Sequence, residues 1–229
     1  MKASGMPGAV LFDLDGTLLD TAPDMAAALN ALRVNEGLEP LPYEQIRPHV
    51  SHGAARLVRI GFGCDHGDRF DDLRRRFLTL YRGDIARGTR TFEGLDPVLA
   101  QLEARHIAWG VVTNKPGWLT EPLMAAVGLA SRARCIISGD TLAERKPHPL
   151  PLLHAAGLLG CKPRHCVYVG DAERDVQAGR AAGMRTVVAA FGYLSPDDDP
   201  LAWQADAIVE HPVELLGQLG LTERPHPSP

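Results

Sequence analysis

Two aspartates follow directly on the first apolar run of the chain. The run Ala9–Phe12 leads into Asp13 and Asp15, in the sequence DLDG. Ligands of open α/β sheets bind outside the carboxyl ends of the strands, so both carboxylates are placed where chemistry usually occurs. A calcium-binding loop needs a third acidic or amide ligand and a glycine at its sixth position. Here Gly16 comes fourth and Thr17 takes the third ligand position, which excludes that alternative.

Polar side chains also follow three later apolar runs. One run delivers a hydroxyl and an amide, the next is followed by a lysine, and the third ends in a pair of carboxylates four residues apart. These residues are Thr113 and Asn114, Lys146 within GDTLAERKPHP, and Asp171 with Asp175 in GDAERD. Singly such residues are common at turns, but each ends a strand of the same predicted sheet. Their coincidence indicates one shared site.

Charge indicates the chemistry of that site. Asp13, Asp15, Asp171 and Asp175 would bring four carboxylates together, and two like charges ~4 Å apart repel by about 4 kcal/mol at an effective dielectric constant near 20. Mg²⁺, held by carboxylates and substrate phosphate oxygens, would make such a cluster stable. A hydroxyl, an amide, a lysine and a metal around one aspartate are typical of phosphoryl transfer. An aspartate can itself attack phosphorus and form an acyl phosphate.

Alternating strand-like and helix-like segments must position these residues. The pattern predicts an α/β fold, a Rossmann-like parallel sheet with helices on both faces. Because the strand-like runs are continuously apolar, we expect both faces of the sheet to be covered. The predicted strands are Ala9–Phe12, Ile107–Thr113, Cys135–Ser138, Cys166–Val169, Thr186–Phe191 and Ala207–Val209. The predicted helices are Leu95–Arg105, Leu119–Val127, Leu150–Leu159 and Arg174–Ala182.

Residues 20–91 interrupt this alternation with helical periodicity and no convincing strand. They predict an inserted α-helical cap, with residues 1–19 and 92–219 forming the α/β catalytic core. Thr21 and Asp24 resemble a capping box at the start of the first cap helix. The Pro-rich segment 220–229 is predicted to be a disordered tail.

Composition excludes several classes of function. The chain has 229 residues and a formal net charge of −4, which argues against nucleic acid or an anionic membrane as partner. The four cysteines form no C-x-x-C pair, as expected of free thiols in a reducing compartment. Without a signal peptide or a long apolar run, we predict a cytoplasmic protein. The oligomeric state cannot be read from the sequence.

The ordered motifs DLDGT, VVTN, KPHP and GDAERD resemble those of the haloacid dehalogenase superfamily, in the branch with a helical cap after the first strand. The resemblance covers about residues 9–219. It implies that Asp13 is the nucleophile and Asp15 the general acid and then base. It further implies that Thr113 and Lys146 hold the phosphoryl group. By the same resemblance, Mg²⁺ is bound by Asp13, the Asp15 carbonyl and Asp171, with Asp175 behind them.

The second aspartate of DLDG distinguishes two chemistries within that superfamily. Members that displace halide from carbon lack an acid there, whereas an alkoxide leaving group needs a proton. Asp15 therefore favours hydrolysis of a phosphate ester. A closing cap admits a small phosphorylated metabolite. The stretches HVSHGAARLV, IAWGVVTNKP and FGYLSPDDDPLAWQADAIVEHPVEL resemble those of the phosphoglycolate phosphatase group. Within that group they are more similar to phosphatases of N-acetylmuramic acid 6-phosphate, which act in cell-wall recycling. 2-Phosphoglycolate is the alternative substrate.

Four cap residues in the stretch HVSHGAARLV are candidates for substrate recognition. They are Ser51, His52, Gly53 and Arg56. Both candidate substrates carry a carboxylate, which a cation such as Arg56 would bind. The competing interpretation places Arg56 on a solvated helix face.

Three other functions deserve comparison. A phosphosugar mutase would share the four motifs and transfer the phosphoryl group to a second sugar position. A binding protein that has lost the chemistry would lack Asp13 or Asp15, and both are present. A dinucleotide-binding module is poorly supported, because the near match around Gly61 and Gly63 has the wrong spacing and lies in the helical insert.

Overall fold

The fold is that of a computed structural model, which describes residues 6–222. The strands are β1 (Ala9–Phe12), β2 (Leu19–Asp20), β3 (Arg90–Thr91), β4 (Ala108–Val112), β5 (Ile136–Ile137), β6 (Cys166–Gly170), β7 (Arg185–Ala189) and β8 (Ala207–Val209). The helices are α1 (Ala22–Asn35), α2 (Tyr43–Ile46), α3 (Gly53–Phe62), α4 (Asp68–Gly83), α5 (Leu95–Ala104), α6 (Gly117–Ala126), α7 (Leu150–Leu158), α8 (Glu173–Ala181) and α9 (Leu215–Gln218).

Six strands form one parallel sheet in the order β5-β4-β1-β6-β7-β8. The chain runs outward from β1 through β4 to β5, then returns to the other side of β1 for β6. The strand order therefore reverses at β1, and a ligand crevice is expected there. Phe12 lies opposite Val111 and Val169. This register brings the ends of the three central strands side by side.

Helices cover both faces of this sheet, as the continuously apolar strands predict. Val10 and Phe12 pack in one cluster with α5 and α6, whereas Ala9 and Leu11 pack in another with α7 and α8. The ring of Trp109 meets Phe12 edge-on, with centroids 6.3 Å apart. Each fully buried side chain of this size contributes about 1.5–3 kcal/mol relative to exposure. The predicted fold class is confirmed.

Helices α1–α4 form a separate apolar cluster between β2 and β3. Their buried side chains include Leu29, Leu57, Phe77 and Tyr81. The predicted absence of strands from this insert is wrong at its borders, because β2 and β3 pair antiparallel there, with Leu19 opposite Thr91. The chain thus leaves and re-enters the sheet domain at neighbouring points. The helical insert begins and ends on one short ribbon.

The predicted capping box at the start of α1 is also wrong. Thr21 donates its hydroxyl to Asp15 Oδ1 at 2.6 Å and makes no cap hydrogen bond. Asp24 instead accepts hydrogen bonds from the Gly88 and Thr89 amides and the Thr89 hydroxyl, at 2.7–2.8 Å. Other partners outcompete the local motif. Asp15 takes the Thr21 hydroxyl, and the returning chain supplies the donors that the buried Asp24 carboxylate needs.

The end of the chain is only partly described. Leu221 is buried and its carbonyl accepts a hydrogen bond from Arg105 at 3.0 Å, so the predicted tail does not begin at residue 220. Residues 223–229 lie outside the described part of the chain. Among residues 6–222, no helix combines the length and apolarity that a membrane crossing requires.

Candidate active site

The ends of β1, β4 and β6 bring four predicted site residues into one crevice. Asp13 follows β1, Thr113 follows β4 and Asp171 follows β6, while Lys146 arrives on the loop after β5. All four are buried. Asp13 is fixed by its own amide, which donates to the Val169 carbonyl at 2.8 Å. The parallel register accounts for the convergence of Asp13, Thr113 and Asp171, whereas a loop brings Lys146 to them.

Lys146 lies at the centre of the crevice. Its ammonium is 2.8 Å from Asp13 Oδ1, 2.8 Å from Asp175 Oδ1 and 2.7 Å from the Tyr168 hydroxyl. Its side chain has no exposed area. An ammonium buried this deeply is stable only beside anions. Lys146 therefore holds Asp13 and Asp175 together and neutralises part of their charge.

The three aspartates form a cluster suited to a metal ion. Asp13, Asp171 and Asp175 each offer an oxygen within 4.8 Å of the others. Burial, and then the charges of Asp13 and Asp175, raises the pKa of Asp171 to about 7. The donors are hard oxygens, and the two nearest cations, Lys146 and Arg174, leave one of the three negative charges unbalanced. These residues fit a divalent cation such as Mg²⁺.

The pKa values of the other two carboxyls shift in opposite directions. Burial raises the pKa of Asp13; the charge of Lys146 opposes this rise, and Asp175 adds to it. For Asp175, burial acts in the same sense, but Lys146 and Arg174 outweigh it and lower the pKa. The carboxyls thus differ in their affinity for a proton although they share one lysine.

Ser51 reaches this cluster from the cap. Its hydroxyl donates to Asp171 Oδ2 at 2.5 Å and lies 3.3 Å from the Asp15 carbonyl oxygen. Gly16 makes the approach possible, because a Cβ built there would lie 2.0 Å from Asp171 Oδ2 and 2.7 Å from Ser51 Oγ. Gly16 also has φ +83°, a conformation that favours glycine. The predicted cap residue and the predicted metal ligands therefore meet.

Asp15 is held by two residues that the sequence analysis did not assign to the site. Lys115 Nζ lies 2.9 Å and the Thr21 hydroxyl 2.6 Å from Asp15 Oδ1. Burial alone would lower the pKa of Lys115, but the charge of Asp15 outweighs it and the pKa is raised. Lys115 also lies 4.6 Å from the ring centre of Tyr81 in the cap. Both of these bonds are made to Oδ1, and among the described residues Asp15 Oδ2 has no hydrogen bond.

Asn114 bonds to the backbone of Lys146 in this structure. Its amide donates to the Lys146 carbonyl at 2.9 Å and its oxygen accepts from the Lys146 amide at 3.1 Å. The side chain thus fixes the loop that carries Lys146. Thr113 Oγ1 accepts a hydrogen bond from the Lys115 amide at 3.1 Å, which leaves its hydroxyl proton for another acceptor.

The remaining cap candidates lie beside the carboxylate cluster without touching it. In the described part of the chain, the side chains of His52 and Arg56 make no hydrogen bond or ion pair. Burial lowers the pKa of His52, and Arg174, His49 and Arg56 lower it further. Gly53 begins α3 with φ +77°.

Arg174 is a further site residue that the sequence analysis missed. It lies in the first turn of α8, between the predicted metal residues Asp171 and Asp175. Its guanidinium donates to the Ser51 carbonyl at 2.7 Å and lies 4.0 Å from Asp13 Oδ2. The sequence signal for Arg174 is its position inside the motif GDAERD, and the signal for Lys115 is its position directly after Asn114. Charged residues are usually exposed, so neither signal sufficed.

Comparison with known proteins agrees with this geometry. The family model described as haloacid dehalogenase-like hydrolase matches residues 10–189. A phosphoglycolate phosphatase of Xylella fastidiosa is 46% identical over 212 residues, covering 93% of both chains. The N-acetylmuramic acid 6-phosphate phosphatase of Pseudomonas aeruginosa is 42% identical, covering 92% of this chain and 94% of that one.

A solved structure has the same fold. The crystal structure of a predicted phosphoglycolate phosphatase from Haemophilus somnus superposes with a TM-score of 0.82 at 26% identity, covering 93% of this chain and 99% of that one. The matches span the sheet, the helical insert and all four motifs. The chain therefore belongs to the haloacid dehalogenase-like hydrolase family, in its phosphatase branch.

Proposed function

We propose that the protein hydrolyses a small phosphomonoester through an aspartyl-phosphate on Asp13, and that N-acetylmuramic acid 6-phosphate is its substrate. One observation carries the chemistry: a buried carboxylate, Asp13, is paired with Lys146 at 2.8 Å beside Asp171 and Asp175. This arrangement supplies a nucleophile, a cation and a metal site within one crevice. A cytoplasmic location belongs to the same proposal.

The mechanism divides the reaction into two displacements. In the first, an Asp13 carboxylate oxygen attacks phosphorus and the bond from phosphorus to the ester oxygen breaks, while Asp15 gives that oxygen a proton. In the second, water attacks the phosphorus of the aspartyl-phosphate, Asp15 takes a proton from the water, and Asp13 is released with inorganic phosphate. Such a split replaces one difficult step by two easier ones.

Other residues hold the reacting groups. Lys146 offsets the charge of Asp13 and of the phosphoryl oxygens. The Thr113 hydroxyl donates a hydrogen bond to one phosphoryl oxygen. Asn114 positions Lys146 through its backbone. Asp13, Asp171 and the Asp15 carbonyl would hold Mg²⁺ with Asp175 behind them, and the bound ion would stabilise negative charge on the phosphoryl group.

The choice of ester rests on the cap and the relatives. Arg56, with Ser51, His52 and Gly53, is proposed to contact the part of the substrate beyond the phosphate, and its guanidinium suits the lactyl carboxylate. The Pseudomonas aeruginosa relative carries the muramic name. 2-Phosphoglycolate is the second candidate, favoured by the name of the relative that is 46% identical; it also carries a carboxylate.

Phosphate release from a panel of esters tests the proposal. The panel holds N-acetylmuramic acid 6-phosphate, N-acetylglucosamine 6-phosphate and 2-phosphoglycolate, with Mg²⁺ and then with chelator. We expect Mg²⁺-dependent hydrolysis with the highest kcat/KM for the muramic ester, and a loss of that preference over the glucosamine ester in Arg56→Gln. If kcat/KM is highest for 2-phosphoglycolate, that ester is the substrate in place of N-acetylmuramic acid 6-phosphate. Conversion of an ester to its positional isomer, without phosphate release and only in the presence of a sugar bisphosphate, would indicate a mutase.

Substitution of the nucleophile tests the mechanism separately. Asp13→Asn should abolish turnover, because an amide does not attack phosphorus, whereas Asp68→Asn on the exposed face of α4 should leave the rate unchanged. Acid quench of the wild type during turnover should trap phosphate covalently on Asp13. Retained turnover in Asp13→Asn would contradict the nucleophile assignment.

A further inference from the structure

Arg174 is a partly buried cation whose role is not explained by the four motifs. Its side chain is 21% exposed, and it lies against the catalytic carboxylates. Burial alone would lower the pKa of its guanidinium, but the charges of Asp175, Asp13 and Asp171 outweigh this effect and raise it. The guanidinium is therefore charged and held in the crevice.

The hydrogen bonds around Asp13 are unequally shared between its two oxygens. Oδ1 accepts the Leu14 amide at 2.7 Å and lies 2.8 Å from the Lys146 ammonium. Within residues 6–222, the cation near Oδ2 is Arg174, at 4.0 Å. That separation is too long for a hydrogen bond. The guanidinium thus lies beside Asp13 without donating a hydrogen bond to it.

The cap supplies the one hydrogen-bond partner that Arg174 has in the described part of the chain. Its Nη2 donates to the Ser51 carbonyl at 2.7 Å. A guanidinium has five N–H donors in a rigid fork, so four remain for another ligand. Planar forks of this kind bind phosphate oxygens in pairs. Ser51 also contacts Asp171 through its hydroxyl, so one cap residue touches both the cation and the cluster.

We infer that Arg174 contacts the phosphoryl group of the substrate, and that the Ser51 carbonyl orients its guanidinium when the cap lies closed. Phosphate binding and cap closure then stabilise one another, because each holds the same guanidinium in one orientation. This inference rests on the proposed phosphatase function. It makes Arg174 a phosphate-positioning residue of the core. The contact of Arg174 with the Ser51 carbonyl then links phosphate binding to the cap.

Inorganic phosphate is the probe for this inference. In Arg174→Gln we expect the inhibition constant of phosphate, measured against p-nitrophenyl phosphate with Mg²⁺, to rise at least about tenfold, as for loss of a charge-assisted hydrogen bond. Arg174→Lys keeps the charge without the fork and should give an intermediate value. Arg180→Gln, on the exposed side of the same helix and bonded to Gln204, is the matched control and should equal the wild type.

Hydrogen exchange measures the coupling to the cap. Phosphate with Mg²⁺ should slow amide exchange in residues 47–53 of the wild type and of Arg180→Gln, but much less in Arg174→Gln and Arg174→Lys. An unchanged inhibition constant in both Arg174 variants would overturn the inference while the phosphatase function stands. The same holds if only KM for a carboxylate-bearing ester rises. A wild type that neither hydrolyses any ester nor binds phosphate would remove the proposed function itself.

Discussion

Replacing Lys146 by methionine removes a fully buried ammonium and keeps a side chain of similar length. The ammonium lies 2.8 Å from an oxygen of Asp13 and 2.8 Å from an oxygen of Asp175, and it also bonds the Tyr168 hydroxyl. The variant therefore leaves two carboxylates in a site where both are nearly inaccessible to water. Catalysis will be lost, but the more informative effect is on stability.

The magnitude follows from this burial. Removing one partner of a buried ion pair costs about 3–5 kcal/mol, because the other charge remains without compensation. Two carboxylates are affected here, but Arg174 stays 4.0 Å from Asp13 and offsets part of the charge. We expect the free energy of unfolding to fall by about 4 kcal/mol. At a slope of roughly 3 kcal/mol per molar urea, the midpoint moves down by roughly 1.3 M.

Urea unfolding at pH 7 without Mg²⁺ measures the effect. The exposed Lys162 provides the matched control, and Lys162→Met should change stability by less than about 0.5 kcal/mol. Adding Asp175→Asn to Lys146→Met removes one of the stranded charges and should recover part of the loss. A loss below about 1 kcal/mol for Lys146→Met would refute the argument that this ammonium neutralises the buried carboxylates.

Further predictions concern the acid, the metal site and the cap. Asp15→Asn should slow hydrolysis of alkyl phosphates far more than that of p-nitrophenyl phosphate, since a nitrophenolate leaves without a proton; equal slowing in steady-state assays would exclude Asp15 as the acid. Because the pKa of Asp171 is about 7, Mg²⁺ must displace a proton at lower pH. Calorimetric affinity for Mg²⁺ should therefore fall about tenfold per pH unit below 7 and level off above 8; no change between pH 6 and 8 would contradict this. Gly16→Ala should weaken Mg²⁺ binding at least about tenfold in the same titration, because its Cβ would lie 2.0 Å from Asp171 Oδ2, and wild-type affinity would disprove the steric argument. Asp24→Ala removes the acceptor of three hydrogen bonds from Gly88 and Thr89 and should cost about 2–3 kcal/mol in urea unfolding; a loss under 0.5 kcal/mol would mean that these bonds add little to stability.

Sequence patterns predict the sheet well because each buried strand is a run of consecutive apolar residues. The apolar runs and the polar residues that end them identify Asp13, Thr113 and Asp171, and parallel pairing then brings these residues together. Lys146 is also predicted, although it lies on a loop, because it follows an apolar run and adds a positive charge beside the predicted carboxylates. Apolar runs and the charges that follow them can both be identified from residue types and positions alone.

No local sequence pattern indicates the contacts between distant segments. Ser51 meets Asp171 across 120 positions of the chain, and Arg174 meets the Ser51 carbonyl across 123. Lys115 is buried because Asp15 and Tyr81 surround it, which neither neighbour in sequence indicates. Thr21 bonds Asp15, only six positions away, instead of capping its own helix, so a local motif can also fail when a second nearby acceptor competes for the same hydroxyl. Local patterns predict which groups are present, while tertiary packing decides their partners.

The short ribbon of β2 and β3 has a consequence for how this enzyme can diversify. Because Leu19 lies opposite Thr91, the segment between them has adjacent ends, and a segment of different sequence or length could join the sheet domain at the same two points. Such a replacement would leave the strand order around Asp13 unchanged. It would also have to supply the contacts that Ser51 makes with Asp171 and Arg174, so the insert and the catalytic core must change together.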